Sequence, residues 1–205
     1  MPTVFLVRHG ETDWNRSGQI MGARPVPLNE RGRSQAQRLA RHLQRRPVEV
    51  LYSSPVARAI QTAHILSSAL EISVRELPGL TEIGVGEWEG LFWKDLTDEI
   101  VRRNLYAQPK DTRFPGGETL LETQGRAVAA LETALREMTA RSFLFVSHAD
   151  VIRSILAHYL DFDLQRVRQI RIDNASVTGL ELNGGVVDLL FLNYLPEGED
   201  EDSSR

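Results

Sequence analysis

Val4-Phe5-Leu6-Val7, followed at once by Arg8-His9-Gly10-Glu11-Thr12-Asp13-Trp14-Asn15, is the stretch on which the fold of this chain turns. The apolar run has the length of a short buried strand. A histidine set between arginine and glycine at the C-terminal end of such a strand is well placed to attack a phosphorus atom. Imidazole is a covalent nucleophile, arginine presents a planar fork of donors that matches phosphate oxygens, and glycine lets a ligand approach the backbone. Taken alone, the motif reads equally well as a histidine closing a turn beside a surface arginine.

Working outward, a second apolar run, Phe143-Leu144-Phe145-Val146, ends in Ser147-His148-Ala149-Asp150 and leads into a helical pattern. Two histidines at the C-terminal ends of two short strands suggest convergence, because ligands of open α/β sheets bind in the crevice outside those ends. Between them lies Leu51-Tyr52-Ser53-Ser54-Pro55-Val56-Ala57-Arg58. Here Ser54 can cap a helix and Pro55 suits its first turn, which places Arg58 near a helix N-terminus, a favourable position for an anion. The segment Leu80-Thr81-Glu82-Ile83-Gly84-Val85-Gly86-Glu87-Trp88-Glu89-Gly90 adds three carboxylates in a glycine-rich aromatic loop.

Together these four segments resemble the histidine phosphatase superfamily, in its phosphoglycerate-mutase-like branch, over residues 4 to about 160. The resemblance implies an α/β sandwich and phosphoryl transfer through a phosphohistidine, with no metal and no cofactor. It implies His9 as nucleophile, with Arg8, Arg58 and His148 as the phosphate pocket; neutralising the equatorial oxygens calls for a protonated His148. Asn15 becomes a further phosphate contact and Glu82 the proton donor to the leaving oxygen. Glu87 and Glu89 are left to support Trp88. The chain departs from the family's common glycine after the second histidine: it has Ala149, followed by Asp150. Asp150 is expected to cap the helix that follows, and a carboxylate near the pocket would disfavour highly anionic substrates.

Composition sets the remaining bounds. The chain has 205 residues, 41% hydrophobic and 25% charged, the balance of an ordinary globular protein. It has no cysteine, which excludes a disulfide framework, a thiolate nucleophile and a cysteine-based zinc site. No apolar run approaches the roughly 20 residues that span a bilayer. Met1-Pro2-Thr3 enters a strand with no basic or apolar leader, so a cytoplasmic location is expected. The formal charge of −4 resides in the last ten residues, where five acids (Glu197, Glu199, Asp200, Glu201, Asp202) face one base, Arg205. The body is therefore near neutral, which argues against a nucleic-acid partner. The expected partner is a small phosphorylated metabolite, with no membrane, and the chain a monomer or homodimer.

Strand and helix signals alternate, as in a three-layer sandwich with a mostly parallel central sheet. After strand 4–7 an irregular loop is expected, then a helix capped by Asn29 with Ala36, Leu39, Ala40 and Leu43 on one face. Further expectations are a strand at 48–52, a helix at 56–70, a strand at 72–75 and helices at 93–105 and about 118–138. Strand 143–146 and helix 150–160 come next, then strands at 167–172 and 176–182. Asn183-Gly184-Gly185 turns the chain into a hairpin with 186–192. One domain over 1–195 is expected, with a small cap insertion at about 93–118 and a disordered acidic tail at 196–205.

Within the family, the motifs favour a phosphatase of small phosphomonoesters over a phosphoglycerate mutase, because the cap segment is short. A catalytically inactive binder of phosphorylated ligands is the alternative from outside enzymology.

Overall fold

The computed structural model describes residues 1–96, 103–105 and 107–196. Six strands form one sheet in the order β3-β2-β4-β1-β5-β6, with β1 at Thr3–Arg8, β2 at Val50–Ser53, β3 at Val74–Glu76, β4 at Ser142–Ser147, β5 at Val177–Asn183 and β6 at Val186–Tyr194. β3, β2, β4 and β1 run parallel, and β5 and β6 close the sheet as an antiparallel hairpin. Crossover helices explain the parallel half. α2 (Glu30–Leu43) and α3 (Ala57–Leu70) cover one face, and α4 (Leu120–Glu137) and α5 (Ala149–Tyr159) pack in the core cluster of the other. Strand side chains alternate between the two faces. Phe5, Val7, Leu144 and Val146 therefore pack against Leu39, Leu43, Ala59 and Ala63, while Val4, Leu6, Phe143 and Phe145 meet Leu131, Ile152 and Ile155.

A third cluster builds the wall beside the sheet's C-terminal edge. It joins Ile83, Val85, Trp88 and Phe114 to Leu164 and Val167. Trp88 meets Trp93 and Phe114 edge-on, as expected for packing residues rather than substrate platforms.

Several expectations shift. The loop after β1 contains a short helix, α1 (Asp13–Ser17), started by a capping box between Thr12 and Asn15. The expected strand at 167–172 is a 3-10 turn over Leu164–Gln169 followed by an extended connector. Its alternation has another cause: Val167 and Ile172 reach buried positions, and the carbonyls of Ile170 and Ile172 receive Arg153 and Arg8. β2 begins at Val50 rather than 48, because Val48 is still in a turn closed on Arg46. Of the expected helix at 93–105, Trp93–Asp95 is a 3-10 turn, residues 103–105 are helical, and residues 97–102 lie outside the described residues, as does the acidic tail from 197 on. Among the described residues no helix is long and apolar enough to cross a membrane.

Candidate active site

The parallel pairing of β1 with β4 sets Arg8 opposite Ser147, so His9 and His148 leave neighbouring strands at the same level. The His9 amide donates to the Ser147 carbonyl at 3.0 Å, and the imidazole rings lie 5.2 Å apart. β2 lies on the other side of β4, and its end brings Ser54 to 2.8 Å from His148 Nε2. Ser54 is thus not the helix cap. Val56 occupies that position without a side-chain bond, while the Ser54 hydroxyl accepts from the Val56 amide at 3.3 Å.

Local geometry fixes the chemistry of His9. Its Nδ1 lies 2.7 Å from the Gly10 carbonyl, which can only accept, so the proton is on Nδ1 and Nε2 carries the lone pair. Arg58 donates its Nε–H to that Nε2 at 3.1 Å. Burial first, then Arg58 and Arg8, push the His9 pKa well below its ordinary value. The ring is neutral at physiological pH, as a nucleophile requires. Gly10 is fixed by close packing: a Cβ there would lie 2.4 Å from the Gly32 carbonyl oxygen. The His9–Gly10 turn sits directly on the first turn of α2.

Arg58 is fully buried in the first turn of α3, held by the carbonyls of Gly22 (2.8 Å) and Arg24 (3.1 Å). Burial lowers its pKa to about 10, against the raising pull of Glu82, and it stays charged. Arg8 donates Nη1 to the Ile172 carbonyl at 2.8 Å, while its buried Nε has no hydrogen-bond partner among the described residues. His148 Nδ1 is in the same condition. Burial, then Arg58, drive the His148 pKa well below its ordinary value, which corrects the expectation of a protonated ring.

Glu82 Oε2 lies 4.0 Å from His148 Nδ1, and Oε1 accepts from the Ile83 amide at 2.9 Å. Burial, reinforced by the charge of Asp150, raises its pKa to about 7 despite Arg58 and Arg8. With His148 neutral, the contact is not an ion pair. Glu89 is engaged elsewhere, bonded to Arg24 and the Ala23 amide. Asn15 accepts from the Thr12 amide at 3.0 Å through Oδ1, which directs that oxygen inward to the cap. Asp150 does not cap α5: His148 is the N-cap residue, and Asp150 accepts from Arg153 at 2.9 Å.

Sequence reasoning missed the supports. Thr62, one helical turn after Arg58, accepts from the Gly10 amide and donates to the Arg58 carbonyl, a link that the i, i+4 spacing could have revealed. Asn174 donates to the His9 carbonyl and to Asn15, and nothing local marks it. Arg126 on α4 donates to the carbonyls of Gly79, Thr81 and Glu82 and to Glu118, holding the Glu82 segment from a distant helix.

Residues 4–194 match the family model of the histidine phosphatase superfamily (branch 1). The chain belongs to that superfamily. Among similar histidine phosphatases, phosphoserine phosphatase 1 of Hydrogenobacter thermophilus is 30% identical over 94% of this chain and 92% of that protein. A probable phosphoglycerate mutase, GpmB of Proteus mirabilis, is 32% identical over 88% of this chain and 85% of its own length. In structure, Bacillus stearothermophilus YhfR superposes with a TM-score of 0.88 at 29% identity, covering 93% of this chain and 96% of its own. As a histidine phosphatase, this chain is an enzyme of phosphomonoester chemistry, a phosphatase or mutase.

Proposed function

We propose that this protein hydrolyses small phosphomonoesters by passing the phosphoryl group through His9. One observation carries the reading: two buried nitrogens without hydrogen-bond partners among the described residues, Arg8 Nε and His148 Nδ1, accompany the Nε2 lone pair of His9. A buried donor left unsatisfied is costly and points to a ligand.

His9 Nε2 attacks phosphorus, and the bond from phosphorus to the ester oxygen breaks. Glu82 gives its proton to the departing oxygen, for which a pKa of about 7 suits it. The resulting carboxylate then takes a proton from water as that water attacks the phosphohistidine. The N–P bond breaks, Nε2 regains its lone pair and phosphate leaves. Arg8 and Arg58 neutralise the equatorial oxygens, with the amide of Asn15 as a further donor. A neutral His148 joins them: a Ser54 hydroxyl donating to Nε2 leaves the ring proton on Nδ1, which faces Glu82. We keep the cytoplasm as the place of action and a small phosphorylated metabolite as the substrate.

A mutase is the second reading, favoured by the likeness to the Proteus mirabilis protein. Against it, Arg113, a basic residue of the cap segment, is engaged by Glu122 and the Gly117 carbonyl. The test is phosphate release from p-nitrophenyl phosphate and from phosphometabolites, with phosphoglycerate interconversion measured in parallel. Release without interconversion is expected. Interconversion faster than release overturns the phosphatase reading.

A further inference from the structure

The outermost strand, β6, is irregular where it pairs with the start of β5. Val177 pairs with Tyr194 and Gly179 with Phe191, so Leu192 and Asn193 stand together opposite Thr178. Such a bulge disrupts the ladder and re-aims a side chain. Asn193 has φ 53°, in the left-handed region that asparagine tolerates better than most residues, and its amide donates to the Thr178 hydroxyl at 3.1 Å. Its carboxamide grips Asp173 by two bonds. Oδ1 accepts from the Asp173 amide at 2.7 Å, and Nδ2 donates to the Asp173 carboxylate at 2.9 Å.

The first of these bonds reaches the site. The Asp173 amide and the Ile172 carbonyl are the two ends of one planar peptide unit. That carbonyl accepts from Arg8 Nη1 at 2.8 Å. Asn193 therefore fixes the rotation of the peptide plane on which the Arg8 guanidinium leans. A peptide that donates at one end also accepts more strongly at the other. The next residues are secured separately: the Asp173 carbonyl accepts from the Ser176 amide, and the Ala175 amide and the Asn174 side chain both donate to the His9 carbonyl. Those bonds lie beyond the 172–173 peptide, so its rotation depends on Asn193 and on Arg8 itself.

Fixing Arg8 has a direct consequence. Its Nη1 is engaged by Ile172, while its buried Nε has no hydrogen-bond partner among the described residues. A guanidinium is a rigid plane, so holding one donor sets the direction of the others. Asp173 places a negative charge on the same step. Burial opposes its ionisation, yet the Asn193 amide, then Arg171 and Arg8, outweigh that and keep the carboxyl below its ordinary range.

We propose that Asn193 is a positioning residue for phosphate binding: by holding the Ile172–Asp173 peptide in one rotation, it presets the Arg8 guanidinium for the phosphoryl oxygens. It acts through Arg8, from the edge of the sheet. The inference rests on the reading of Arg8 as a phosphate contact in the proposed reaction. A donor already held in its bound geometry loses less conformational freedom on binding, and Asn193 contributes that difference.

The experiment compares the wild type, Asn193→Gly and Thr178→Val. Glycine keeps the left-handed backbone and deletes the carboxamide. Valine removes the hydroxyl behind the bulge and leaves the carboxamide in place. Binding of inorganic phosphate is measured by calorimetry, and kcat and KM with p-nitrophenyl phosphate, all well below the thermal transitions. Asn193→Gly is expected to bind phosphate about tenfold more weakly and to raise KM by a similar factor. Its kcat should stay within about twofold, because Arg8 meets the phosphoryl oxygens in ground and transition states alike. Thr178→Val is expected to lower Tm and leave phosphate affinity unchanged. In an Arg8→Gln background the further loss from Asn193→Gly should vanish, since residues that act through one another are not additive. A role in stability alone lowers Tm or the active fraction and leaves KM and phosphate affinity where they were. That pattern in Asn193→Gly overturns the proposal, as does equal weakening of phosphate by Thr178→Val or an undiminished loss in Arg8→Gln. If the wild type binds phosphate but hydrolyses no ester, the phosphatase reading falls, and the phosphate affinities still decide the role of Asn193.

Discussion

The two halves of the site are held by different means. His9, Arg8 and His148 stand at the ends of paired strands, with β1 and β4 in continuous parallel register up to Arg8 and Ser147. Glu82 hangs on a segment with only short 3-10 turns, at Pro78–Leu80 and Gly86–Trp88. Side chains from α4 and its approach secure it: Arg126 gathers three carbonyls, and Glu118 accepts from the Gly84 amide at 2.7 Å. Gly86 completes the clamp, since it has φ 52° and a Cβ there would lie 2.1 Å from the Pro115 carbonyl oxygen. The half that holds the proposed nucleophile is preorganised by the sheet ladder, and the half that holds the proposed acid by a few side-chain bonds. Damage to the acid half can therefore come from far away and should spare the first half.

The largest effect is expected at the sheet half. His9→Ala should lower turnover by roughly 10⁴-fold or more while the thermal transition is retained. Acid-labile phosphate trapped from labelled substrate should vanish with it. Label that persists in His9→Ala and disappears in His148→Ala would exchange the two roles.

Next comes Glu82→Gln, which keeps shape and removes the transferable proton. Hydrolysis of an alkyl phosphate should slow by about 10²–10⁴-fold, and that of p-nitrophenyl phosphate by less, because its leaving anion needs little protonation. The same residue sets the alkaline limb. Its folded pKa is raised to about 7, so the acid form is lost and activity falls as pH climbs through that value. In Glu82→Gln the limb should be absent. Equal slowing of both esters, or a limb that survives, removes Glu82 from the acid role.

A smaller effect tests whether the halves are separable. Arg126→Met leaves the carbonyls of Gly79, Thr81 and Glu82 without their shared donor, at a cost of about 1–3 kcal/mol. A lower Tm is expected, with alkyl phosphates losing more rate than p-nitrophenyl phosphate. If both esters lose rate alike, the acid half is not mechanically independent.

The smallest effect is an expected constancy. Arg8 and Arg58 supply the positive charge that a metal supplies elsewhere, so dialysis against EDTA should leave the rate unchanged. A loss restored by Mg²⁺ would break the assignment of both halves.

The contrast between the halves also divides what was legible. The run Val4–Val7 into Arg8-His9-Gly10, and Phe143–Val146 into Ser147-His148, announce themselves because a buried strand must be continuously apolar and a strand end is local in sequence. Even the third strand end could be read through Ser54 and Arg58, although Ser54 serves His148 rather than capping the helix. The 167–172 segment misled because apolar alternation records which side chains are buried, not whether the backbone pairs with a strand.

By itself, then, the sequence determined the alternating α/β plan and the family, and through that resemblance it nominated His9, Arg8, Arg58, His148 and Glu82 as candidates. Only the tertiary structure decided the protonation of His9 and His148, the raised pKa of Glu82, and the contacts of Thr62, Asn174, Arg126 and Asp150. Those depend on burial and on charges brought together across long stretches of chain. Such distances between groups exist only once the chain has folded.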